Sequence, residues 1–292
     1  MRRFILFVVV FTAVVLTGAV VPRCHLKAHA AMAAAAQQPG NWASGDCNNE
    51  NRGSHWGESH VCQMRRTTFA LPSGHLSVET TNGGIDVTGE DRNDVSLEAR
   101  VTAWASSESA ANDLLSHVVI DTNNGDVRDH GPHSSFFGRN GYSIDYRLHV
   151  PRHLAAELQT MNGGIDLARI DGPIRFRTTN GGVNLDQLSG DVQGSTVNGG
   201  LNISLAGERW QGTGLNAQTT NGGIDLRLPD RYSAHLETGT VNGGVSVNFP
   251  ITVQGTIKSR LNTDLGSGGP TIHIETVNGG VTISHSSGPS VD

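Results

Sequence analysis

From Ala155 to Ser284 apolar residues recur two apart in short runs, and longer steps separate the runs. Counting from Ile165, core-type positions fall at Leu167, Ile170, Ile174, Phe176 and Thr178. One period on, the same places hold Val183, Leu185, Leu188, Val192, Gly194 and Thr196. A period of two marks a strand with one buried face, and no helical spacing of three and four runs through this part. The pattern predicts short strands joined by bends.

Each bend carries the same octet, Thr-x-Asn-Gly-Gly-apolar-x-apolar. It occurs seven times, at Asn82-Gly83-Gly84, Asn162-Gly163-Gly164, Asn180-Gly181-Gly182, Asn198-Gly199-Gly200, Asn221-Gly222-Gly223, Asn242-Gly243-Gly244 and Asn278-Gly279-Gly280. From one Asn to the next the intervals are 80, 18, 18, 23, 21 and 36. Periods near twenty mean stacked units, each too small to bury a core alone. At ~3.3 Å per residue, the shortest interval contours a coil of about 60 Å, and coils stack about 4.8 Å apart. Asn-Gly is a strong turn signal because both residues tolerate positive φ. Repeated once per coil, it becomes a corner, where stacked Asn amides can hydrogen-bond along the axis. The octet is thus a structural turn before it is a site.

The fold class expected is all-β: a single parallel β-solenoid with coils of about 18–23 positions and one short helix near its N-terminal part. A left-handed β-helix would need an apolar residue every six, and a calcium β-roll would need tandem nine-residue units. The polar position after each doublet reads Asp86, Asp166, Asn184, Asn202, Asp225, Ser246 and Thr282, too few carboxylates for a calcium ladder.

Two intervals are long. The stretch between Asn82 and Asn162 leaves room for about four periods, with the sequence around Asn124 as one worn copy. The 36 between Asn242 and Asn278 equal two periods, with a degenerate copy expected near Asn262. Within the first interval, Ser106 to Val118 reads as the helix with Ser106 as N-cap. "DHGPHSSFFGRNG" reads as a surface loop, and "YSIDYRLHVP" as a strand ended by Pro151. The organisation expected is an export signal (1–30), a flexible Cys-containing segment (31–68), N-terminal strands, helix and loop (69–150), regular rungs (151–285) and a tail (286–292).

The N-terminus places this body in a cell. Arg2 and Arg3 precede a mostly apolar run from Phe4 to Val21, and Ala28-His29-Ala30 offers a small-x-small cleavage site. A cleaved export signal is favoured over an uncleaved anchor, and both put the rest of the chain outside the cytoplasm. There Cys47 and Cys62 pair by default, with a zinc set completed by His55 and His60 as the alternative. The segment 1–30 carries four cations, Arg2, Arg3, Arg23 and Lys27, and no acid, so its loss takes the formal charge from −6 to −10. Only Lys258 then remains among lysines. So few cations exclude a nucleic-acid partner, and a membrane contact is expected only if the leader stays attached.

The chain resembles a bacterial putative-adhesin family, a domain without assigned function in envelope proteins. The features that carry the resemblance are "YRLHVPRHLAAELQTMNGGIDL", "LRLPDRYSAHLETGTVNGGVSV" and "GSGGPTIHIETVNGGVTI". It runs from Phe69 to Ser284. It implies a right-handed β-helix-like solenoid outside the cytoplasm, with no catalytic set and no cofactor.

The function expected is a non-enzymatic envelope protein that presents a surface to glycan or protein. In "GERWQGTG", where the interval widens to 23, Trp210 could stack on a sugar with Arg209 beside it, or fold back and plug the coil. A polysaccharide-degrading enzyme is the first alternative, since Asp86, Asp166 and Asp225 share a rung position. No Gly-x-Ser-x-Gly, His-Glu-x-x-His or phosphate loop supports it. A spacer without ligand is the second.

Overall fold

The computed structural model describes residues 43–47, 58–132, 140–248 and 259–286. They belong to one compact unit, Ala36–Asp292. The leader, Trp42, His55 and Trp56 lie outside the described residues.

In chain order the elements are β1 (Ala43–Asp46), β2 (Ser59–Ala70), β3 (His75–Asn82), β4 (Ile85–Glu90), β5 (Asp94–Ala105), α1 (Glu108–Ser116), β6 (Val119–Asp121), β7 (Asp126–His130) and β8 (Gly141–Pro151). There follow β9 (Ala155–Asn162), β10 (Ile165–Ala168), β11 (Asp171–Asn180), β12 (Val183–Asp186), β13 (Ser189–Asn198) and β14 (Leu201–Ser204). The last are β15 (Gly214–Asn221), β16 (Ile224–Leu228), β17 (Ala234–Asn242), β18 (Val245–Asn248), β19 (Arg260–Leu265), β20 (Thr271–Asn278) and β21 (Val281–His285).

Each coil is one long strand, an Asn-Gly-Gly corner, one short strand and a second corner. The long strands of the coils stack into one sheet, β19-β17-β20-β15-β13-β11-β9-β3-β7-β6, and their short strands into the other, which β8, β5, β2 and β1 extend: β1-β2-β5-β8-β4-β10-β12-β14-β16-β21-β18. Rungs pair in parallel with matching register: Ile165 lies beside Val183, and Thr178 beside Thr196. Alternate residues point between the sheets, which buries Ile165, Leu167, Ile174, Phe176, Val183, Leu185 and Val192. This is a parallel β-solenoid. The inward place that Phe176 fills is Gly194 in the next coil, where a Cβ would overlap the Phe176 ring. One large residue thus occupies the space of two.

The second corner is tighter. Arg169 and Gln187 adopt left-handed conformations (φ 55° and 52°), and the next residues, Ile170 and Leu188, turn inward and are buried.

Both long intervals differ from the periods counted in the sequence. The rung β3–β4 pairs directly with β9–β10, Asn82 against Asn162, so the chain between them inserts no coil there and instead lays β7 and β8 in parallel against the other side of β3 and β4. It forms an excursion over the N-terminal end. β8 runs parallel to β4, and β5 and β2 then add in antiparallel fashion. Asn124 sits at φ 58° in a short 3-10 turn, Asn123–Gly125, between β6 and β7, and is no worn rung. At the other end Asn262 lies in β19, antiparallel to β17, and is no degenerate rung either. The rung β20–β21 inserts between β15–β16 and β17–β18, so spatial order departs from chain order there.

The helix spans Glu108–Ser116, with Ser107 rather than Ser106 as N-cap: its Oγ accepts from the Ala110 N–H at 3.2 Å. Arg65, buried in β2, donates to the Leu115 and Val118 carbonyls at 3.0 and 2.6 Å. A cation on the last carbonyls of a helix satisfies orphan acceptors and offsets the dipole. The segment expected to be flexible up to residue 68 includes β1 and most of β2, and the Cys47–Cys62 disulfide (Cα–Cα 5.8 Å) ties their ends. Joined to each other, the two sulfurs are not available as zinc thiolates.

Candidate binding faces and the corner column

The seven Asn-Gly-Gly corners stand in one column. Asn162 Nδ2 donates to Asn82 Oδ1 at 2.9 Å, and the ladder continues through Asn180, Asn198, Asn221, Asn278 and Asn242 at 2.7–2.9 Å. Inside the corner a second ladder runs in step. Thr160, Thr178, Thr196, Thr219, Thr276 and Thr240 each donate Oγ1–H to the first-glycine carbonyl of the neighbouring coil at 2.7–2.9 Å. Those carbonyls belong to half-buried glycines, and the buried Thr hydroxyls find their partners there. The glycine requirement has a different cause from the expected one. Of the first glycines only Gly83 has positive φ (126°). At Gly163, Gly181, Gly199, Gly222 and Gly279 a Cβ would overlap the glycine carbonyl oxygen of the adjacent coil. Close approach, rather than turn conformation, selects glycine.

The outward acids of the short-strand sheet form a row and not a reaction centre. Asp86, Asp166, Asn184, Asn202 and Asp225 are register neighbours on successive strands. Asp86 faces Arg147 at 3.5 Å, Asn184 Nδ2 donates to Asp166 Oδ1, and Asn202 Nδ2 donates to Asn184 Oδ1 at 2.8 Å. At the N-terminal end of this row lies a recess of about 590 Å³, beside Cys47. Arg66, Arg100 and Arg147 line it together with Asp86, Glu98, Asp145 and Asp166. Arg66 meets Glu98 at 2.6 Å, and Asp145 accepts the Gly84 N–H at 2.9 Å.

The long-strand sheet offers the broader polar face. Glu157, Arg175, Gln193 and Asn216 form one outward row, and Gln159, Arg177, Ser195 and Gln218 the next. Together they line a shallow groove of about 490 Å³. A smaller groove of about 260 Å³ continues it along the stack past Gln218, Gly239, Arg260 and Glu275. Along the rim of this face, in the position before the ladder Asn, Met161, Val197, Val277 and Val241 are exposed at 40–66%, with Thr179 and Thr220 between them. The face was missed at the level of sequence, although its signal was present: the outward residues fall three and five positions before each ladder Asn.

Trp210 does not contribute to any such surface. It is 2% exposed, and its Nε1–H donates to the Gly190 carbonyl at 3.0 Å. Of the two roles open to it from the sequence, the ligand contact gives way to the plug, closing the corner that Ile170 and Leu188 close in smaller coils. Arg209 remains exposed, beside a bridge to Ser233.

At the far end of the long-strand sheet, acids and imidazoles alternate. Asp264 pairs with His235 at 2.7 Å, His235 with Glu237 at 3.3 Å, Glu237 with His273 at 3.2 Å, and His273 with Glu275 at 3.6 Å. This series joins β19, β17 and β20. The bond to Asp264 raises the His235 pKa above the ordinary 6.5, and the bond from His273 lowers that of Glu237 below 4.5. A raised histidine contributes stability that is complete below pH 6.5 and lost as pH climbs through its folded value. A lowered carboxylate contributes above pH 4.5 and loses its share as pH falls through its folded value. Both contributions are therefore present in the window between these two pH values. The melting temperature of the wild type should exceed that of His235→Gln by more at pH 6 than at pH 8. An equal gap at both would show that the pair does not titrate with folding.

A two-sheet parallel solenoid whose coils share one Asn-Gly-Gly column defines the class of protein. The chain belongs to the Toastrack DUF4097 family, whose model matches residues 49–284, starting nearer the N-terminus than the resemblance at Phe69. No curated protein matches the chain. Among solved structures it is similar to a "putative cell adhesion protein" from Clostridium sporogenes, with 13% identity, TM-score 0.42, 76% of this chain and all of that one covered. It is also similar to a "putative lipid binding protein" from Parabacteroides distasonis (9% identity, TM-score 0.28, 76% and 96% covered). A third, a "putative adhesin" from the same organism, has 10% identity and TM-score 0.30, with 72% and 96% covered. No helix among the described residues is long and apolar enough to cross a membrane.

Proposed function

We propose that this is an exported, non-enzymatic envelope protein that holds a linear polar glycan along the outer face of its long-strand sheet. The observation that carries the reading is the doubled row from Glu157 to Gln218. Each coil places two outward polar side chains in an open groove there: Glu157 and Gln159, Arg175 and Arg177, Gln193 and Ser195, Asn216 and Gln218. Amides both donate and accept, as sugar hydroxyls do, and Arg adds donors in a fixed fork. A repeat of about 4.8 Å per coil suits a polymer that presents similar groups at each step. The exposed Met161 and Val197 on the rim of this face offer a surface for the C–H faces of sugar rings. Export is supported by the Cys47–Cys62 disulfide, since such bonds persist in oxidising compartments. The non-enzymatic part rests on the row of Asp86, Asp166 and Asp225: Asp225 lies three strands from Asp166, and the adjacent Asp86 and Asp166 are engaged by Arg147 and Asn184.

An array of envelope polysaccharides probed with the wild type and with Arg177→Ala/Gln218→Ala tests this. Binding to at least one polysaccharide is expected, weakened at least about tenfold in the double variant, with the melting temperature unchanged. Absence of any binding, or binding that the double variant leaves intact, rejects the reading. Release of shortened glycan, abolished in Asp166→Asn, would replace it with the enzyme.

A further inference from the structure

The ladder also governs a covalent reaction of its own asparagines. In an Asn-Gly step the glycine backbone nitrogen can attack the asparagine Cγ. A C–N bond forms, the Cγ–Nδ2 bond breaks, and ammonia leaves with the glycine N–H proton. Water then opens the succinimide at either carbonyl, to aspartyl or isoaspartyl. Glycine favours this step because no Cβ hinders the attack. Seven of the chain's nine Asn-Gly steps stand in the ladder, and they would be a liability unless the fold restrains them.

Six of the seven are restrained twice. The attacking N–H is bonded to the next coil's Asn carbonyl: Gly163 to Asn180, Gly181 to Asn198 and Gly199 to Asn221, each at 3.0 Å. Gly83, Gly222 and Gly279 are held the same way, at 2.9, 3.1 and 3.2 Å. The asparagine amide is held too. From Asn162 to Asn278 each Oδ1 accepts from one neighbour while Nδ2 donates to the other. Asn82 accepts from Asn162 and donates weakly to the Tyr142 carbonyl at 3.5 Å. To react, an interior corner must first open.

The seventh corner ends the column. Asn242 Nδ2 donates to Asn278 Oδ1 at 2.8 Å, but among the described residues its own Oδ1 accepts no hydrogen bond and the Gly243 N–H has no partner. Asn242, Gly243 and Gly244 are all exposed. We infer that Asn242 is a spontaneous modification site, the one ladder asparagine that converts to aspartyl or isoaspartyl in the folded protein. The product carries a carboxylate that cannot donate to Asn278 Oδ1, so the last ladder bond is lost. The isoaspartyl form also lengthens the backbone inside the corner and takes β17 and β18 out of register with β20 and β21.

Folded wild-type protein held at mildly alkaline pH and physiological temperature, then peptide-mapped by mass spectrometry, tests the assignment. Conversion at Asn242 should outpace that at Asn180, Asn198 and Asn221 at least about tenfold, because only those need local opening. In urea the four rates should converge. Asn242→Gln should remove most of the early conversion that peptide mapping assigns to the ladder. Equal rates in the folded chain, or an interior asparagine converting first, would overturn the assignment.

Discussion

Gly181→Ala is expected to be among the most damaging single methyl additions in this chain. Its Cβ would overlap the Gly163 carbonyl oxygen, which already accepts the Thr178 hydroxyl at 2.8 Å. The coils on either side are held by backbone pairing, so the corner can yield only by breaking bonds around it. The Gly181 N–H donates to Asn198 O at 3.0 Å, and Thr196 Oγ1 donates to Gly181 O at 2.8 Å. Overpacking costs about 1–3 kcal/mol and each disrupted bond about 1 kcal/mol, for a total of about 3–5 kcal/mol. For a domain of this size that lowers the melting temperature by roughly 10 °C. Gly182→Ala, one residue on, is the control. Its Cβ would lie 3.5 Å from the Gly200 carbonyl, an ordinary contact, and it should change stability little. Thermal or urea unfolding of the two variants decides the matter: equal losses would mean that turn conformation, and not the approach of coils, selects these glycines.

Trp210→Ala is the second large effect. Truncating a fully buried indole that closes the widened corner leaves a cavity next to the Gly190 carbonyl, and such truncations cost about 3–5 kcal/mol. Trp210→Phe should recover most of the packing but not the bond to Gly190 O, leaving a residual loss of about 1 kcal/mol. Denaturant midpoints separate the two contributions. Glycan binding to the long-strand face should survive both variants under native conditions. A Trp210→Ala protein that keeps its stability and loses its ligand would restore the indole as a contact residue.

The rungs were legible because each coil must place the same atoms at the same corner. That constraint writes one octet into the chain wherever a corner occurs, and the inward alternation follows from the pleat. What lay between was less legible for a physical reason. Alternation of buried and exposed residues is the same in a parallel and an antiparallel strand. The pattern from Val95 to Ala105 therefore does not reveal that β5 leaves the coil and returns antiparallel to β8. The order of the last rungs was hidden likewise, since every octet fits beside every other. The choice falls to unrepeated contacts, such as Leu261 and Leu265 of β19 buried against β17. Ser106 and Ser107 satisfy the same capping preference, and only the geometry of the turn separates them. The polar rows from Glu157 to Gln218 carried the weakest signal, because outward positions accept many residue types at little cost. Trp210 shows the converse: a widened interval marks extra chain, but whether an aromatic there faces in or out depends on the hole it finds.

The transposed rung near the C-terminus sets an order of events during synthesis. When Asn242 leaves the ribosome, the edge it will join does not yet exist, because β17 and β18 pair with β20 and β21 rather than with β15 and β16. The growing ribbon must hold that rung in waiting until its final stretch emerges and slides between. A nascent chain halted before Thr271 is therefore left with two unjoined pieces, and the fold closes only when translation is nearly finished.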